Sequence, residues 1–204
     1  MTSPHFSAFP LILASASPRR RDLMTEAGYA FEVIAANVDE LHDERVSLYD
    51  LTMANAAAKA RLIADQFPER LVIGADTLVA IDGCALTKPA DMDEARAMLR
   101  RLAGRTHEVC TSVAMICRAA GVERKFEVVT RVTFLLLTEL QRDEYLTLIN
   151  PLDKAGGYAA QEHGDRIIAG VEGSWTNVVG LPMEALGTEL SALGVLSVQK
   201  ETGA

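Results

Sequence analysis

The sequence predicts an α/β or α+β domain built on a mixed β-sheet, and two observations support this prediction. Short apolar runs alternate along the chain with segments of helical periodicity, which is the order expected when helices cover a sheet. Two long stretches of β character, residues 106–117 and 125–136, follow one another and are expected to pair. The chain has 204 residues, enough to bury a sizeable core, and we predict a single domain over residues 1–204.

The first part of the chain is predicted to form four elements. In order, they are a buried strand over residues 10–15, a helix over 18–27, a strand over 29–38 and a helix over 47–67. Ser17 has a side chain preferred at a helix N-cap, and Pro18 suits the first helical position because it has no N–H to satisfy. Gly28 is expected to end the first helix.

The remaining elements are marked by the same kinds of signal. They are a strand over residues 71–76 that ends at Asp76, a hairpin over 77–86 that turns at Asp82-Gly83, a helix over 91–104, the two long strands, a helix over 138–149, a strand over 166–171 and a helix over 182–193. The helix at 91 is well marked, because Asp91 is a favourable N-cap and Glu94 follows three residues later. No regular element is predicted for the glycine-rich segment over 153–164.

Composition and charge argue against several classes of protein. The 28 acidic and 20 basic residues give a formal charge of −8, which argues against broad nucleic-acid binding and against attraction to anionic membranes. Cys84, Cys110 and Cys117 have no CxxC spacing, so we expect reduced thiols rather than disulfides or a zinc site. The chain has no secretory leader pattern, and no apolar run reaches the roughly 20 residues that span a bilayer. We therefore expect a cytoplasmic protein.

Three consecutive arginines, starting at Arg19, occupy the predicted turn from the first strand into the first helix. Backbone N–H groups at a helix start point outward, and the helix dipole favours an anion there. The hydroxyls of Ser15 and Ser17 belong to the same turn. Together with the guanidiniums of Arg19 and Arg20 they could bind phosphate oxygens. The alternative is a solvated basic turn, but three positive charges at the positive end of a helix favour a bound anion, with Arg21 at the surface.

Acidic residues follow two of the predicted strands. Asp76 closes the strand over 71–76, where α/β proteins place ligands, and it could bind a divalent cation, act as a base toward water, or simply form a turn. Asp39 and Glu40 follow the strand over 29–38 in the same way and could complete an acidic cluster. Carboxylate oxygens beside a phosphate site are typical of Mg²⁺ or Mn²⁺ binding.

Other polar residues are ambiguous on their own. Lys59 lies on the predicted long helix and Lys88 in a predicted loop, so either can be an ordinary solvated lysine. The glycine-rich segment over 153–164 carries Tyr158 and Gln161 on a tight backbone that can approach a ligand closely. The alternative for this segment is a plain surface turn.

Eight short sequence segments, distributed over nearly the whole chain, form a recognisable series. They are LASASPRRRDLM at 13–24, VDE at 38–40, KA at 59–60, GADT at 74–77, TKP at 87–89, GRTHEV at 104–109, DKAGGYAAQ at 153–161 and NVVGLPMEAL at 177–186. In this order the segments resemble the Maf family of nucleoside triphosphate pyrophosphatases. No single segment is decisive, but eight in register make the resemblance specific.

The resemblance implies a fold and an activity. The family fold is a Maf/ITPase-like α/β structure, with an elongated mixed β-sheet flanked by helices and a cleft between two lobes, and it is commonly a homodimer. The implied activity is metal-dependent hydrolysis of a nucleotide between its α- and β-phosphates, which gives a monophosphate and pyrophosphate.

The resemblance also implies which residues form the site. The resemblance implies that Asp76 is the proton acceptor. It also implies that Asp76 and Glu40 bind a divalent cation, Mg²⁺ or Mn²⁺. The residues implied to bind the substrate are Ser15, Arg19, Arg20, Lys59, Thr77, Lys88 and Gln161.

Three positions divide the family by substrate. The branch that acts on dTTP and UTP has Arg, Thr and Gln there, which this sequence matches with Arg19, Thr77 and Gln161, whereas the branch that acts on 7-methyl-GTP has Trp, Gln and Glu. Glu162 departs from the family pattern, because a glycine usually follows that glutamine. One alternative is a pyrophosphatase for another nucleotide, such as a modified pyrimidine triphosphate. Another is a nucleotide-binding regulator of cell division or septum formation with little hydrolysis.

Overall fold

The computed structural model describes residues 11–41 and 46–197 of the chain. Its strands and helices in order are β1 (Leu11–Leu13), α1 (Pro18–Glu26), β2 (Phe31–Val33), α2 (Leu48–Gln66), β3 (Val72–Ile81), β4 (Cys84–Leu86), α3 (Met92–Leu102), β5 (Thr106–Cys117), β6 (Val122–Phe134), α4 (Glu139–Leu148), β7 (Ile168–Glu172), α5 (Trp175–Val179) and α6 (Met183–Ala192). Short 3-10 turns lie between α4 and β7, at Pro151–Asp153, Ala155–Gly157 and Gly164–Arg166. Within the described ranges, no helix has the length and apolar character needed to cross a membrane.

The strands form one seven-stranded mixed sheet. The strand order is β2-β1-β3-β5-β6-β7, and β4 pairs with β3 outside this path. β1 runs parallel to β2 and β3, with Leu13 opposite Val33 on one side and Ile73 on the other. β4 is antiparallel to β3, and β7 is antiparallel to β6. The mixed sheet expected from the sequence is therefore confirmed.

The described residues divide into two compact units. The first unit contains the described residues up to Asp76, those of Ser112–Glu127 and those from Gly180 onward. The second unit contains Thr77–Thr111 and Val128–Val179. The chain passes from one unit to the other within the strands β3, β5 and β6 and again directly after α5.

In the first unit, the alternation of side chains along β1 supplies two separate apolar clusters. Leu11 and Leu13 pack with Met24 of α1 and with leucines of α6. Ile12 points the other way and packs with the alanines of α2 and with Ile63. The sheet of this unit is therefore covered on both faces by helices.

In the second unit, one apolar cluster joins α3 and α4 to the sheet. Leu99 and Leu102 of α3 and Tyr145 of α4 are fully buried against Phe134 of β6. The amphipathic pattern of α3, which places apolar side chains three and four residues apart, produces this contact.

Local side chains define most of the predicted boundaries. Asp91 accepts hydrogen bonds from the first turn of α3, and Thr138 forms a capping box with Gln141 at the start of α4. The hairpin between β3 and β4 turns at Asp82 and Gly83 as predicted, and both residues have positive φ, 55° and 74°. These elements lie where the sequence predicts them because their signals are local.

Two strand predictions are wrong, and both errors have a physical reason. The predicted strand over 29–38 is reduced to Phe31–Val33, because its neighbour β1 offers only three residues for pairing. The predicted strand end at Asp76 is absent, since β3 continues without a break from Val72 to Ile81 and Asp76 lies in its middle. Asp76 and Thr77 interrupt the apolar run, and polar residues inside a strand can be mistaken for its end.

Two helices, α1 and α5, differ from the sequence-based prediction. Ser17 precedes α1 as predicted, but its side chain makes no capping hydrogen bond. The short helix α5 was not predicted, because Trp175–Val179 has no strong helical pattern. Hydrogen bonds from Asn177 to Val109 and Thr130 hold it in place instead.

Candidate active site

A glycine in β3 allows α2 to lie unusually close to the sheet. A Cβ atom at Gly74 would lie 2.7 Å from the backbone nitrogen of Ala60 and would also clash with the carbonyl oxygen of Ala56. The helix backbone therefore packs directly on the strand at this point. Asn55 and Lys59, four residues apart on α2, share one face of the helix and reach β3 two residues further on, at Asp76.

Lys59 lies between two carboxylates. Its Nζ is 2.7 Å from Oδ1 of Asp76 and 2.7 Å from Oε1 of Glu40. Lys59 is 8% exposed and Asp76 is 6% exposed, whereas Glu40 is half-buried. The cluster holds two carboxylates and one ammonium group in a largely dry setting, where charges interact more strongly than in water.

Asn55 connects the two acidic segments of this cluster. Its Oδ1 accepts a hydrogen bond of 2.8 Å from the backbone nitrogen of Leu41, which fixes the chain immediately after Glu40. Its Nδ2 lies 3.5 Å from Oδ2 of Asp76. Sequence reasoning missed Asn55, although its position four residues before Lys59 on one helix was a usable signal.

Arg20 ties the start of α1 to the segment around Asp76. Its Nη1 donates to the carbonyl oxygen of Ala75 at 2.9 Å and to Oγ of Ser15 at 3.2 Å, and its Nε donates to the carbonyl oxygen of Gly180 at 2.8 Å. Burial lowers the pKa of the Arg20 guanidinium, while the negative charges of Asp76 and Glu40 oppose this effect. The arginine therefore has a structural task in addition to any contact with a ligand.

The structure brings five of the predicted site residues together in the first unit. They are Ser15, Arg20, Glu40, Lys59 and Asp76. Arg19 lies half-buried in the first turn of α1, in the same unit. Arg21 is at the surface, where it pairs with Asp22 at 2.9 Å, in line with its predicted exposure. Asp39 is exposed.

The other three predicted site residues belong to the second unit. Thr77 follows Asp76 on β3, and its hydroxyl lies 2.9 Å from the hydroxyl of Thr111. Lys88 is exposed between β4 and α3. Gln161 is exposed in the glycine-rich segment, and its Nε2 donates to Oε1 of Glu162 at 3.2 Å.

The donor atoms of the cluster limit how a metal ion could be held. Within the described part of the chain, no group of three or more His, Cys, Asp and Glu side chains is arranged to hold a metal ion. Asp76 and Glu40 provide two carboxylates that both contact one ammonium group. Mg²⁺ is commonly bound through one or two carboxylates together with substrate phosphates. The pair therefore fits an ion whose remaining ligands come from a phosphorylated substrate.

The second unit contains a buried polar group of a different kind. His107 is 2% exposed, and its Nε2 lies 2.8 Å from the hydroxyl of Tyr158. Both rings meet Phe134 edge to face with centroids 4.9 Å apart. Burial lowers the pKa of His107 to about 4 and raises the pKa of Tyr158. Both side chains are therefore neutral near pH 7 and stabilise the glycine-rich segment.

Curated relatives and one solved structure resemble the chain along most of its length. A dTTP/UTP pyrophosphatase of Akkermansia muciniphila is 46% identical over 185 residues, which are 91% of this chain and 97% of the relative. A dTTP/UTP pyrophosphatase of Nitratidesulfovibrio vulgaris is 42% identical over 97% of this chain and 94% of its own length. The Staphylococcus aureus Ham1 protein shares the fold, with a TM-score of 0.52 at 14% identity, over 90% of this chain and 99% of that one.

A match to a family model shows which family the chain belongs to. The model described as "Maf-like protein" matches residues 10–193, which include every site residue predicted from the sequence. The resemblance found in the eight sequence segments is thereby confirmed, and the chain belongs to the Maf family.

Proposed function

We propose that this chain is a nucleoside triphosphate pyrophosphatase that hydrolyses dTTP and UTP to the monophosphate and pyrophosphate. The observation that carries the proposal is the buried cluster in which Lys59 contacts both Asp76 and Glu40, with Arg20 bonded to the residue before Asp76. Relatives that are 40–46% identical over most of the chain and are named dTTP/UTP pyrophosphatases support the substrate class.

In this proposal Asp76 accepts the proton of the attacking water. The water oxygen bonds to the α-phosphorus, the bond from that phosphorus to the bridging oxygen breaks, and pyrophosphate leaves with the bridging oxygen. Lys59 donates a hydrogen bond of 2.7 Å to Asp76, which orients the carboxylate for this role. Asn55 and Gly74 act indirectly, since they set the position of the segment after Glu40 and the closeness of α2.

Asp76 and Glu40 are the residues that would hold a divalent cation, Mg²⁺ or Mn²⁺. Such an ion, when bound, withdraws charge from the phosphoryl group. The side chains of Ser15, Arg19 and Arg20 bind phosphate oxygens at the start of α1, where backbone N–H groups and the helix dipole also favour an anion.

Three further residues, Lys88, Thr77 and Gln161, are proposed substrate contacts because the family resemblance implies them. Lys88 is exposed and binds phosphate, while Thr77 and Gln161 contact the base. A side-chain amide suits uracil or thymine, because it offers an acceptor for N3–H and a donor for O4 on one rigid group. A homodimer, as the resemblance implies, remains a prediction that light scattering of the purified protein can check.

The test is a screen of purified protein over nucleoside triphosphates with Mg²⁺ or Mn²⁺, in which monophosphate and pyrophosphate are measured. We expect dTTP and UTP to be cleaved best, with equal amounts of monophosphate and pyrophosphate released. Asp76→Asn protein serves as the matched blank for contaminating phosphatases. Release of single phosphate would refute cleavage between the α- and β-phosphates. Binding of triphosphates without turnover would refute the proposal that the chain is an enzyme.

A further inference from the structure

Glu162, the residue that departs from the family pattern, lies between two other side chains of the glycine-rich segment. Its Oε1 accepts a hydrogen bond of 3.2 Å from Nε2 of Gln161. The same Oε1 lies 3.7 Å from Nζ of Lys154. Lys154 is 6% exposed, whereas Glu162 is half-buried and Gln161 is exposed. The carboxylate therefore connects a buried ammonium group to an amide at the surface.

The ammonium group at the inner end of this connection is fixed. Nζ of Lys154 donates to the carbonyl oxygen of Asn150 and to Oδ1 of Asp153, both at 2.7 Å. Because these two bonds hold the ammonium group in place, its charge attracts the carboxylate of Glu162 to one position. This attraction is stronger beside a buried charge than it would be in open water.

The position of the carboxylate decides which way the amide of Gln161 is turned. A carboxylate can only accept hydrogen bonds, whereas an amide has two N–H donors on one side and an acceptor oxygen on the other. Nε2 of Gln161 therefore faces Glu162, since the opposite orientation would bring two acceptor oxygens together. One amide proton and Oε1 of Gln161 remain for another partner.

A glutamine that turns freely would not distinguish uracil from cytosine. Uracil and thymine offer an N3–H donor beside the O4 acceptor, whereas cytosine offers an N3 acceptor beside an N4 donor. Half a turn of the amide exchanges its donor and its acceptor, so a free amide can complement both kinds of base. The amide discriminates between them only when a neighbour prevents the turn.

We propose that Glu162 is a positioning residue that holds the amide of Gln161 in the orientation that suits uracil and thymine. The inference rests on the proposed function, in which Gln161 contacts the base. In this orientation Oε1 of Gln161 accepts from N3–H, and the remaining amide proton is donated to O4. With cytosine, Oε1 would face N3, which is also an acceptor, so cytosine nucleotides bind less well.

The experiment uses variants of the full-length protein. Glu162→Gln keeps the size of the side chain but replaces the carboxylate by an amide, which can donate or accept and no longer prevents the turn. Asp165→Asn is the matched control, because Asp165 is an exposed carboxylate directly after the same segment and its charge changes equally.

The readouts are the ratio of kcat/KM for UTP to that for CTP, and the ratio of affinities for UMP and CMP from calorimetry. We expect Glu162→Gln to lower both ratios about 3- to 10-fold, the net size of one hydrogen bond. Asp165→Asn should keep both ratios.

A double substitution distinguishes positioning from direct recognition of the base by Glu162. In a Gln161→Ala protein there is no amide to orient, so the addition of Glu162→Gln should leave both ratios at their Gln161→Ala values. A residue that contacts the base itself would change the ratios again.

Three results would overturn the inference: unchanged or raised ratios in Glu162→Gln, an equal fall in Asp165→Asn, or a further change when Glu162→Gln is added to Gln161→Ala. Should Glu162→Gln fail to fold, Glu162→Gly takes its place, because glycine is usual at this position in the family. Wild-type protein that cleaves no triphosphate refutes the proposed function alone, because the affinities for UMP and CMP still test the inference. Wild-type protein that does not prefer UMP to CMP overturns the inference.

Discussion

Both units of the molecule bury hydroxyl and amide groups, such as Thr52, Asn55 and Ser112 in the first unit, and they differ in the charged groups that they bury. Asp76 in the first unit is the one buried carboxylate among the residues that the structure describes, and it contacts the buried ammonium of Lys59. The second unit buries His107, whose pKa of about 4 keeps it neutral near pH 7, together with hydroxyl and amide groups. It also buries Lys154, but the carboxylate of its partner Asp153 is half exposed to water.

This difference suggests different roles for the two units. We expect catalytic groups in the first unit and groups that orient side chains in the second. Removing charges from water is costly, and replacement of a buried ion pair by apolar groups is often neutral or stabilising. The buried pair of the first unit is therefore poorly explained by stability alone. The neutral groups of the second unit avoid the cost of a buried carboxylate, although Nδ1 of His107 and Oδ1 of Asn177 have no hydrogen-bond partner among the described residues.

The largest expected effect tests the charged cluster. Asp76→Asn should keep the fold and nucleotide binding while it lowers turnover by about two to four orders of magnitude, the usual range for the loss of an acid–base group. Steady-state kinetics with dTTP and UTP measure this change. Asp39→Asn is the matched control, because Asp39 is an exposed carboxylate next to Glu40. Near-normal turnover of Asp76→Asn would show that the buried carboxylate is only structural.

A second substitution in the first unit separates phosphate binding from base choice. Arg20→Ala should weaken triphosphate affinity by about 1.5–3 kcal/mol, as for a hydrogen bond to a charged group. Because phosphate contacts carry no information about the base, the order of preference among nucleotides should not change. Inhibition by tripolyphosphate, which has no base, measures the affinity directly.

The same variant needs a stability measurement, since Arg20 also binds the carbonyls of Ala75 and Gly180. Arg20→Lys provides a comparison that keeps the charge but loses the planar donor set. Normal tripolyphosphate inhibition of Arg20→Ala, or a change restricted to base preference, would contradict a phosphate-binding role.

Base choice is expected to depend on the second unit. Gln161→Glu should lower hydrolysis of dTTP and UTP by roughly 1–3 kcal/mol, because a carboxylate cannot donate to O4. Any gain should appear with GTP, whose base offers two adjacent donors. The variant also places a second carboxylate beside Glu162, which now accepts from Gln161.

Glu162 is the rival for this role, because it departs from the family pattern. Glu162→Gly, measured with dTTP, UTP, CTP and GTP, distinguishes the two residues. A shift of preference in Glu162→Gly with none in Gln161→Glu would remove Gln161 from base recognition.

The smallest expected effect tests the neutral state of His107. Its pKa is about 4 in the folded chain and about 6.5 when unfolded. The unfolded chain therefore binds more protons between these values, and stability falls as the pH drops from 6.5 toward 4. His107 should account for about 2 kcal/mol of the loss in unfolding free energy between pH 7 and pH 5.

Urea unfolding at the two pH values measures this loss. His107→Gln should make the loss smaller, because glutamine does not titrate yet can still bond to Tyr158. His163→Asn is the matched control, since His163 is exposed and asparagine tolerates its positive φ of 56°. An equal loss in all three proteins would mean that His107 does not carry the pH dependence.

Local signals made part of this structure predictable. The capping residues Asp91 and Thr138 and the Asp82-Gly83 turn act within a few residues, so the elements they mark were found. The prediction ended the strand at Asp76, too early, because the continuation of β3 depends on pairing with strands that are distant in the sequence.

The candidate site was predictable in its composition and not in its arrangement. Asp76, Arg20 and Glu40 stood out by their positions in the sequence, and the family resemblance added Lys59. Sequence spacing does not reveal that Lys59 bridges the two carboxylates, because that contact depends on the approach of α2 to the sheet. The contact of Asn55 with Asp76 depends on the same approach, although the spacing of Asn55 and Lys59 places both on one face of α2.

The approach of α2 at Gly74 has a consequence for mutational tolerance. Gly74 has no functional group and touches no proposed substrate, yet any side chain there must displace a helix backbone. A displacement of a fraction of an ångström would move Lys59 away from Asp76 and Glu40 together. In a scan of all substitutions scored for activity, substitutions at Gly74 should therefore lower activity as much as those at the charged residues. Ala58, half-buried on α2, should accept many replacements.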